Sequence, residues 1–385
     1  MAILTNARRL LTKIESSSGT DSSPAGTDAL LVSNLEVSPV ESGTAGREII
    51  RPYLGATEQL LTDTKISIGF DVEMSGSGSA GTASRIDSLL RACGMSATTT
   101  GSAVTGSSQA GSAGSITLAS GASATDDAYT GMCITITSGT GNGHKGLITS
   151  YTGSSKVATV QASTAAFTPG ASSGYSISAN VQYKPLSSTF ESTTLYFNNG
   201  GIRHIATNCR GSFSFSLETS GIPVFSFSMI GVYNSPTDTA AGSTTYSNQS
   251  VPVVAKSGNT VATNILGYSP AVQSISFDMA NEVAFRQLIG ADKDVIISAR
   301  NPSGEAVVEL PTIAQKDYFT LANTESTDLV AFQHGTTAGN IVSFVAEKVD
   351  LSNPTLSDSD GIQHVGLPLS FLPTSGNDEV LLTFQ

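Results

Sequence analysis

The chain has 385 residues and a net charge of −12, with 13% Asp, Glu, Lys and Arg, where an ordinary soluble domain carries roughly 25%. A hydrophobic share of 39% excludes wholesale disorder, and the acidic balance excludes ordinary nucleic-acid binding, which needs Lys and Arg to displace condensed counterions. Cys93, Cys133 and Cys209 cannot form a disulfide framework, and no apolar window is long enough to cross a membrane.

In chain order, the start MAILTNARRLLTKIE lacks the apolar core and cleavage site of a signal peptide, and Ala7–Glu15 reads as a short helix. The stretch 38–58 reads as an extended loop of mixed charge, with Glu41, Arg47, Glu48, Arg51 and Tyr53 and few apolar residues to bury in its own module. From Ile66 the alternation Ile66, Ile68, Phe70, Val72, Met74 predicts a half-buried strand. Gly76-Ser-Gly78-Ser-Ala-Gly81 satisfies the dinucleotide fingerprint, but no acidic residue stands at a strand end about 20 residues on, and no βαβ alternation follows. Residues 84–93 place Ile86, Leu89, Leu90 and Cys93 on one helical face that stops at Gly94.

Residues 96–182 hold only Asp126, Asp127, Lys145 and Lys156 as charges. Five short runs, at 115–118, 132–136, 146–149, 156–160 and 175–177, predict a small inserted sandwich or barrel. Its flanks, 97–114 and 169–174, read as flexible connectors. Asn198-Asn199-Gly200-Gly201 and Ser220-Gly221 supply hairpin turns in an antiparallel meander whose inward faces carry Phe213, Phe215, Leu217 and Phe225, Phe227, Met229. The alternation returns at Ile275, Phe277, Met279 and at Leu367, Leu369, Phe371, and 282–289 reads as a second helix stopped by Gly290. Strand ISIGFDVEM before helix IDSLLRACG thus has a faint echo in SISFDMAN before EVAFRQLIG, which predicts two copies of one β-rich module.

Charge divides with these units. Residues 1–235 carry 15 acids and 13 bases, net −2, and residues 236–385 carry 16 acids and 6 bases, net −10. His144, His204, His334 and His364 have no metal-binding spacing, no GxSxG elbow is present, and Asp71 with Glu73 is a common strand accident. Asp358-Ser-Asp360-Gly361 is a polar turn without the rest of a calcium loop. No catalytic, cofactor-binding or metal-ligating residue, and no cofactor, is expected.

With enzyme motifs set aside, short strings in both halves resemble the tail tube (major tail) proteins of long-tailed bacteriophages: Arg8-Arg-Leu-Leu-Thr-Lys-Ile-Glu15 with Gly19-Thr-Asp21, Asn34-Leu-Glu-Val-Ser-Pro39, Arg51-Pro-Tyr-Leu-Gly55, Leu89-Leu-Arg-Ala-Cys-Gly94, Tyr183-Lys-Pro185, Gly231-Val-Tyr233, Ser276-Phe-Asp278 and Gln333-His-Gly-Thr-Thr-Ala-Gly-Asn340. The resemblance skips 96–182. It implies a mainly β fold of two tube-like sandwich or barrel modules, each with a short flanking helix, over 1–95 with 183–235 and over 236–385, plus a small inserted all-β domain at 96–182. It further implies a virion structural protein without enzymatic activity, partnered by itself in stacked rings, hexameric or trimeric with pseudo-sixfold symmetry. Other tail proteins would meet the tube ends, and DNA would pass without specific binding. Glu41, Arg47, Glu48, Arg51 and Tyr53 would then lie in the loop that grips the adjacent ring. The alternative is a phage decoration or adhesin-like surface β-protein.

Overall fold

Period-two alternation governs the chain, and the computed structural model, which describes residues 8–239, 242–324 and 326–385, is mainly β, with two short α-helices and a curled seventeen-stranded sheet. The first half contributes β1 (Arg8–Ile14), β2 (Ser33–Ala45), β3 (Leu60–Glu73), α1 (Asp87–Ala92), β4 (Thr193–Asn199), β5 (Ile202–Glu218) and β6 (Val224–Asp238). The second contributes β7 (Thr260–Ile265), β8 (Val272–Asp278), β9 (Asn281–Arg286), β10 (Asp294–Arg300), β11 (Ser303–Glu309), α2 (Tyr318–Asn323), β12 (Asp328–His334), β13 (Val342–Leu351), β14 (Thr355–Ser359) and β15 (Ile362–Phe371).

Strand pairing repeats between the halves. The order is β2-β3-β6-β5-β4-β1 in the first and β8-β11-β15-β13-β12-β7 in the second. Each half has a hairpin before its six-residue helix, between β2 and β3 or between β9 and β10. The long β5 is matched by β13 and β14 together, which part at Asn353, where φ is 43°. The halves join at the ladder of Ser214–Glu218 of β5 against Ser274–Asp278 of β8, and again through the C-terminal strand Leu381–Phe384, which pairs with both Val342–Val345 of β13 and Val181–Tyr183.

The buried side of this sheet carries the alternating residues expected from the sequence: Ile66 to Met74, Phe213 to Leu217, Phe225 to Met229, Ile275 to Met279 and Leu367 to Phe371. They form one apolar cluster that runs from Leu10 to Phe384 through both halves. At the junction, Phe277 stacks on Phe215 at 5.2 Å and meets Phe344 and Phe371, each at 5.2 Å. The β4–β5 turn uses Gly200 and Gly201 at φ 57° and 116°, and Ser220 at φ 68° turns β5 into β6. Six residues cannot hold a helix alone; α1 persists because Leu89 and Leu90 are fully buried, and it stops at Gly94, φ 82°.

Three local expectations are corrected. Residues 282–289 are not a helix: β9 pairs with β10, Val283 lies opposite Ile297 and Phe285 opposite Val295, and Gly290 (φ 81°) lies in the hairpin tip rather than at a helix end. The second helix is α2, capped by Asp317, whose carboxylate accepts from Thr320 N at 2.8 Å and Thr320 Oγ1 at 2.6 Å. The counterpart of β3 and α1 is therefore β11 and α2, so the repeat is out of step with the string match by one strand. Arg8–Ile14 is a strand rather than a helix; it pairs with β4 along its length, and Leu10, Leu11 and Thr12 are buried in succession, a run that periodicity cannot assign. Ala7 lies outside the described residues.

Residues 104–177 form a separate seven-stranded sheet with its own core around Ile116, Ile134, Ile136, Ile148 and Ile177. All five expected runs are strands. Much of the first supposed connector is strand: Val104–Ser107 and Ala110–Ser112 belong to this sheet, while Met95–Thr100 pairs with Asn180–Pro185 in the large one; 169–173 is irregular and leads into the strand that starts at Gly174. Their low apolar content reflects edge positions satisfied by backbone bonds. Gln385 fastens the unit to the body, accepting from Cys133 N at 2.6 Å and donating to Ser343 Oγ at 3.0 Å and Gly131 O at 3.1 Å. Cys133 and Leu147 pack there on Ala262, Ala331, Ile341 and Val345.

Candidate assembly surfaces

The stretch expected as an extended loop, 38–58, is the outer part of a β-hairpin arm: 38–45 is strand and 46–58 belongs to the unpaired tip. β2 and β3 pair out to Ala45 and Leu60, leaving 46–59 as the tip. Glu41 sits on β2 with its carboxylate 3.6 Å from Lys65 Nζ, and Arg47 reaches Glu58 at 3.3 Å across the tip. Asp63 accepts from Gly43 N and Thr62 Oγ1, both at 2.8 Å, and these bonds hold its carboxyl below the usual range. A Cβ at Gly43 would stand 2.3 Å from Asp63 Oδ1, so a side chain there would displace this carboxylate from its bonds. Arg51 lies over the Tyr53 ring at 5.9 Å, while Glu48 projects into solvent.

Thus Glu41 and Arg47 form surface ion pairs within the arm, and Glu48 and Tyr53 project from it. The exposed apolar side chains of the tip went unsingled in the sequence: Ile50 and Leu54 are 102% and 103% exposed, and Ile49, Leu60 and Leu61 stand beside them. Their signal is an apolar cluster that follows no strand or helix period. The second arm, β9–β10, leans against the first through Gln287 Nε2 to Thr62 O at 3.1 Å and exposes Ile289 fully. Its base is held by buried Arg210, which donates to Asp294 Oδ1 at 3.1 Å and to Val295 O.

The second surface is the reverse of the core-bearing sheet. Eight strands run in the order β2-β3-β6-β5-β8-β11-β15-β14. Opposite the Phe-rich face, the alternate positions carry Ser67, Asp71 and Glu73; Ser214, Ser216 and Glu218; Ser226 and Ser228; Ser274, Ser276 and Asp278; and Ser303, Glu305 and Glu309. Glu36 and Ser38 continue it on β2 and Ser357 and Ser359 on β14, and the cations in these columns, Lys65 on β3 and Arg210 on β5, are paired with Glu41 and Asp294. Short hydroxyls keep the face low, and fixed carboxylates from both halves make it negative.

Groups with potential chemistry are absorbed by structure. The glycine fingerprint packs two loops: Gly78 N donates to Gly339 O and Gly76 N to Asn340 Oδ1, both at 2.8 Å, and a Cβ on Gly339 would stand 2.5 Å from the Gly78 carbonyl carbon. His334 bonds Thr260 Oγ1 and Val253 O, each at 3.0 Å, and His204 stacks on Phe197. Cys93, Cys133 and Cys209 are buried, and burial pushes the Cys133 thiol up to about 12. In a groove between the insertion and the body, Glu347 lies near Asp127, Asp378 and Lys184 and is raised to about 7, chiefly by desolvation. Among the described residues no His, Cys, Asp or Glu group could hold a metal ion, and no helix is long and apolar enough to cross a membrane.

No curated protein matches the chain. A family model described as phage tail tube protein matches residues 5–373, across both repeats and the insertion, in agreement with the resemblance carried by the short strings. The chain therefore belongs to the phage tail tube protein family, whose members are structural components of the virion tail and not enzymes.

Proposed function

We propose that copies of this chain close into rings, that the rings stack into the tail tube, and that the serine and carboxylate face of the eight-stranded sheet lines the bore through which DNA leaves the virion. The observation that carries this reading is the excess of carboxylates on that face, Asp71, Glu73, Glu218, Asp278, Glu305 and Glu309, while its cations Lys65 and Arg210 are paired with Glu41 and Asp294. A wall of this kind repels phosphates, and its ammonium and guanidinium groups are already paired with carboxylates, so DNA slides without binding. Its acids come from both halves, so the concentration of net charge in residues 236–385 does not by itself define the wall.

The repeated strand order supports two tube modules per chain, 1–95 with 183–235 and 236–385, and a ring of three chains with pseudo-sixfold symmetry. Residues 96–182 are then an appendage on the module. The β2–β3 arm, with its exposed Ile50 and Leu54, reaches the adjacent ring, and other tail proteins meet the tube at its ends. Assembly takes place in the host cytoplasm.

The test is charge reversal on the wall. Asp278→Lys with Glu305→Lys alters two exposed side chains on the neighbouring strands β8 and β11. Virions carrying both should assemble tubes of normal width and eject DNA several-fold more slowly, the more so at low salt, where screening is weak. Normal ejection through such tubes would refute the assignment of this face to the bore. Purified wild-type chain that stays monomeric in negative stain would favour a decoration protein instead.

A further inference from the structure

We infer that the inserted unit is an internal brace: rooted in the first repeat and seated on the second, it holds the two at a fixed angle in the free protomer. The consequence for assembly rests on the ring reading above; the brace itself does not. The chain leaves the first repeat after α1 and returns to it before β4. The neck closes on that side, with Leu186 N donating to Gly94 O at 2.8 Å and Tyr183 Oη donating to Asp87 Oδ1 of α1 at 2.9 Å. The seat is on the second repeat, where Leu147 and Cys133 pack on Ala262 of β7, Ala331 of β12 and Val345 of β13. Hydrogen bonds cross to the same strands: Ser163 Oγ donates to Gln333 Oε1 at 2.7 Å, Asn264 Nδ2 to Gln161 Oε1 at 3.3 Å and Ser343 Oγ to Gly131 O at 2.7 Å, besides those of Gln385. Among the described residues, no hydrogen bond or ion pair runs from 101–179 to the first repeat.

The ladder of β5 on β8 is five residue pairs long, about 17 Å, and strands joined along such a line can rotate about it, since the twist between neighbouring strands ranges over about 25°. Phe215 and Phe277 face each other on that ladder, so their stack lies on its axis and resists rotation with little leverage. A second tie away from the axis turns rotation into displacement. Phe332 and Phe344 pack on Phe215 from the far side of the core, and their chain neighbours Ala331 and Val345 point the other way, into the seat. The seat therefore stands about one sheet-to-sheet spacing, roughly 10 Å, from the ladder. Opening the angle would carry the buried Leu147, Ala331 and Val345 and the crossing hydrogen bonds into water. Leu147 takes no part in the insertion's own core around Ile116, Ile134 and Ile148, so its side chain serves the seat alone. A protomer already held at the angle a ring needs loses less freedom on association than one that must find it, and the gain is in assembly rate.

Spin labels at Ser38→Cys on β2 and Ser357→Cys on β14, exposed positions at opposite ends of the eight-stranded sheet, read the angle; the native thiols are buried and do not compete. Pulsed EPR on the dilute protomer should give one narrow distance with no further change. The distribution should be at least about twice as broad, with the large sheet still folded by circular dichroism, in two variants. In one, a two-residue turn replaces 101–179 between the facing residues Thr100 and Asn180; in the other, Leu147→Asp makes the seat polar and leaves the inserted core intact. In unlabelled chains the same changes should lengthen the lag before tube formation several-fold while tube width stays the same, because neighbours impose the angle once assembled. Distributions as narrow as wild type in both variants would overturn the brace, and broadened distributions with an unchanged lag would overturn its part in assembly. A wild-type chain that forms no ring under any condition would remove the ring reading and leave the distances to decide the brace.

Discussion

Phe277 is the most informative single position because it lies on the ladder where the two repeats pair directly and packs on aromatic rings from both. Its ring is 2% exposed and packs on Phe215, Phe213, Phe344 and Phe371 at 5.2 to 5.9 Å. Truncation to alanine removes the ring's burial and leaves a cavity among aromatics that cannot collapse onto a sheet backbone, a cost of about 3–5 kcal/mol. The body without residues 96–182, about 300 residues at roughly 2.1 cal/mol/K each, has an unfolding entropy of about 0.6 kcal/mol/K if it is one cooperative unit. About 4 kcal/mol therefore lowers its melting temperature by about 6 °C. The assay is scanning calorimetry on the unassembled protomer, with Phe277→Leu as a partial rescue. A body that melts in two steps, only one of them shifted by Phe277→Ala, would refute the single core drawn from Leu10 to Phe384, as would a shift below about 1 °C.

Two further outcomes are expected. Replacing 46–59 by a two-residue turn that joins Ala45 to Leu60 should leave protomer folding and single rings unchanged but stop stacking, measured as ring-to-tube ratio in negative stain; normal tubes would remove the arm from the ring-to-ring contact. Gln385→Ala strands Cys133 N at the buried seam, at about 1–3 kcal/mol, while Gly131 O keeps its bond from Ser343 Oγ. Hydrogen exchange should quicken at 131–134 while β3, β5 and β6 stay protected, and equal protection throughout would count against the clamp.

What the sequence exposed was period-two patterning and turn chemistry. The Phe, Ile and Leu alternations and the two glycine-bearing hairpins mark strands whose buried face is set by residue spacing alone, and the structure places them so. Residues 282–289 misled because Val283, Phe285, Leu288 and Ile289 satisfy a helical stripe over eight residues as well as an alternation over the first four. Tertiary pairing to β10 decides between them. α2 carried a readable cap, Asp317 with Thr320, but only one of its residues, Tyr318, is buried, too little for a periodic signal. The serine and carboxylate face was also present residue by residue. It becomes visible only when strands far apart in sequence are set side by side, since β3 adjoins β6 and β11 adjoins β15 through contacts no local pattern encodes.

The entry and exit of the inserted unit carry a consequence of their own. Met95–Thr100 and Asn180–Pro185 are zipped against each other, Thr100 opposite Asn180, so the chain leaves the large sheet and returns to it about 5 Å apart. A closed two-stranded neck of this kind makes the position an exchange cassette: any compact domain whose termini lie together can be spliced there without changing the length or register of the strands behind it. Tubes built from this chain could in that way carry a regular array of grafted enzymes, epitopes or affinity domains on the appendage position, one per protomer.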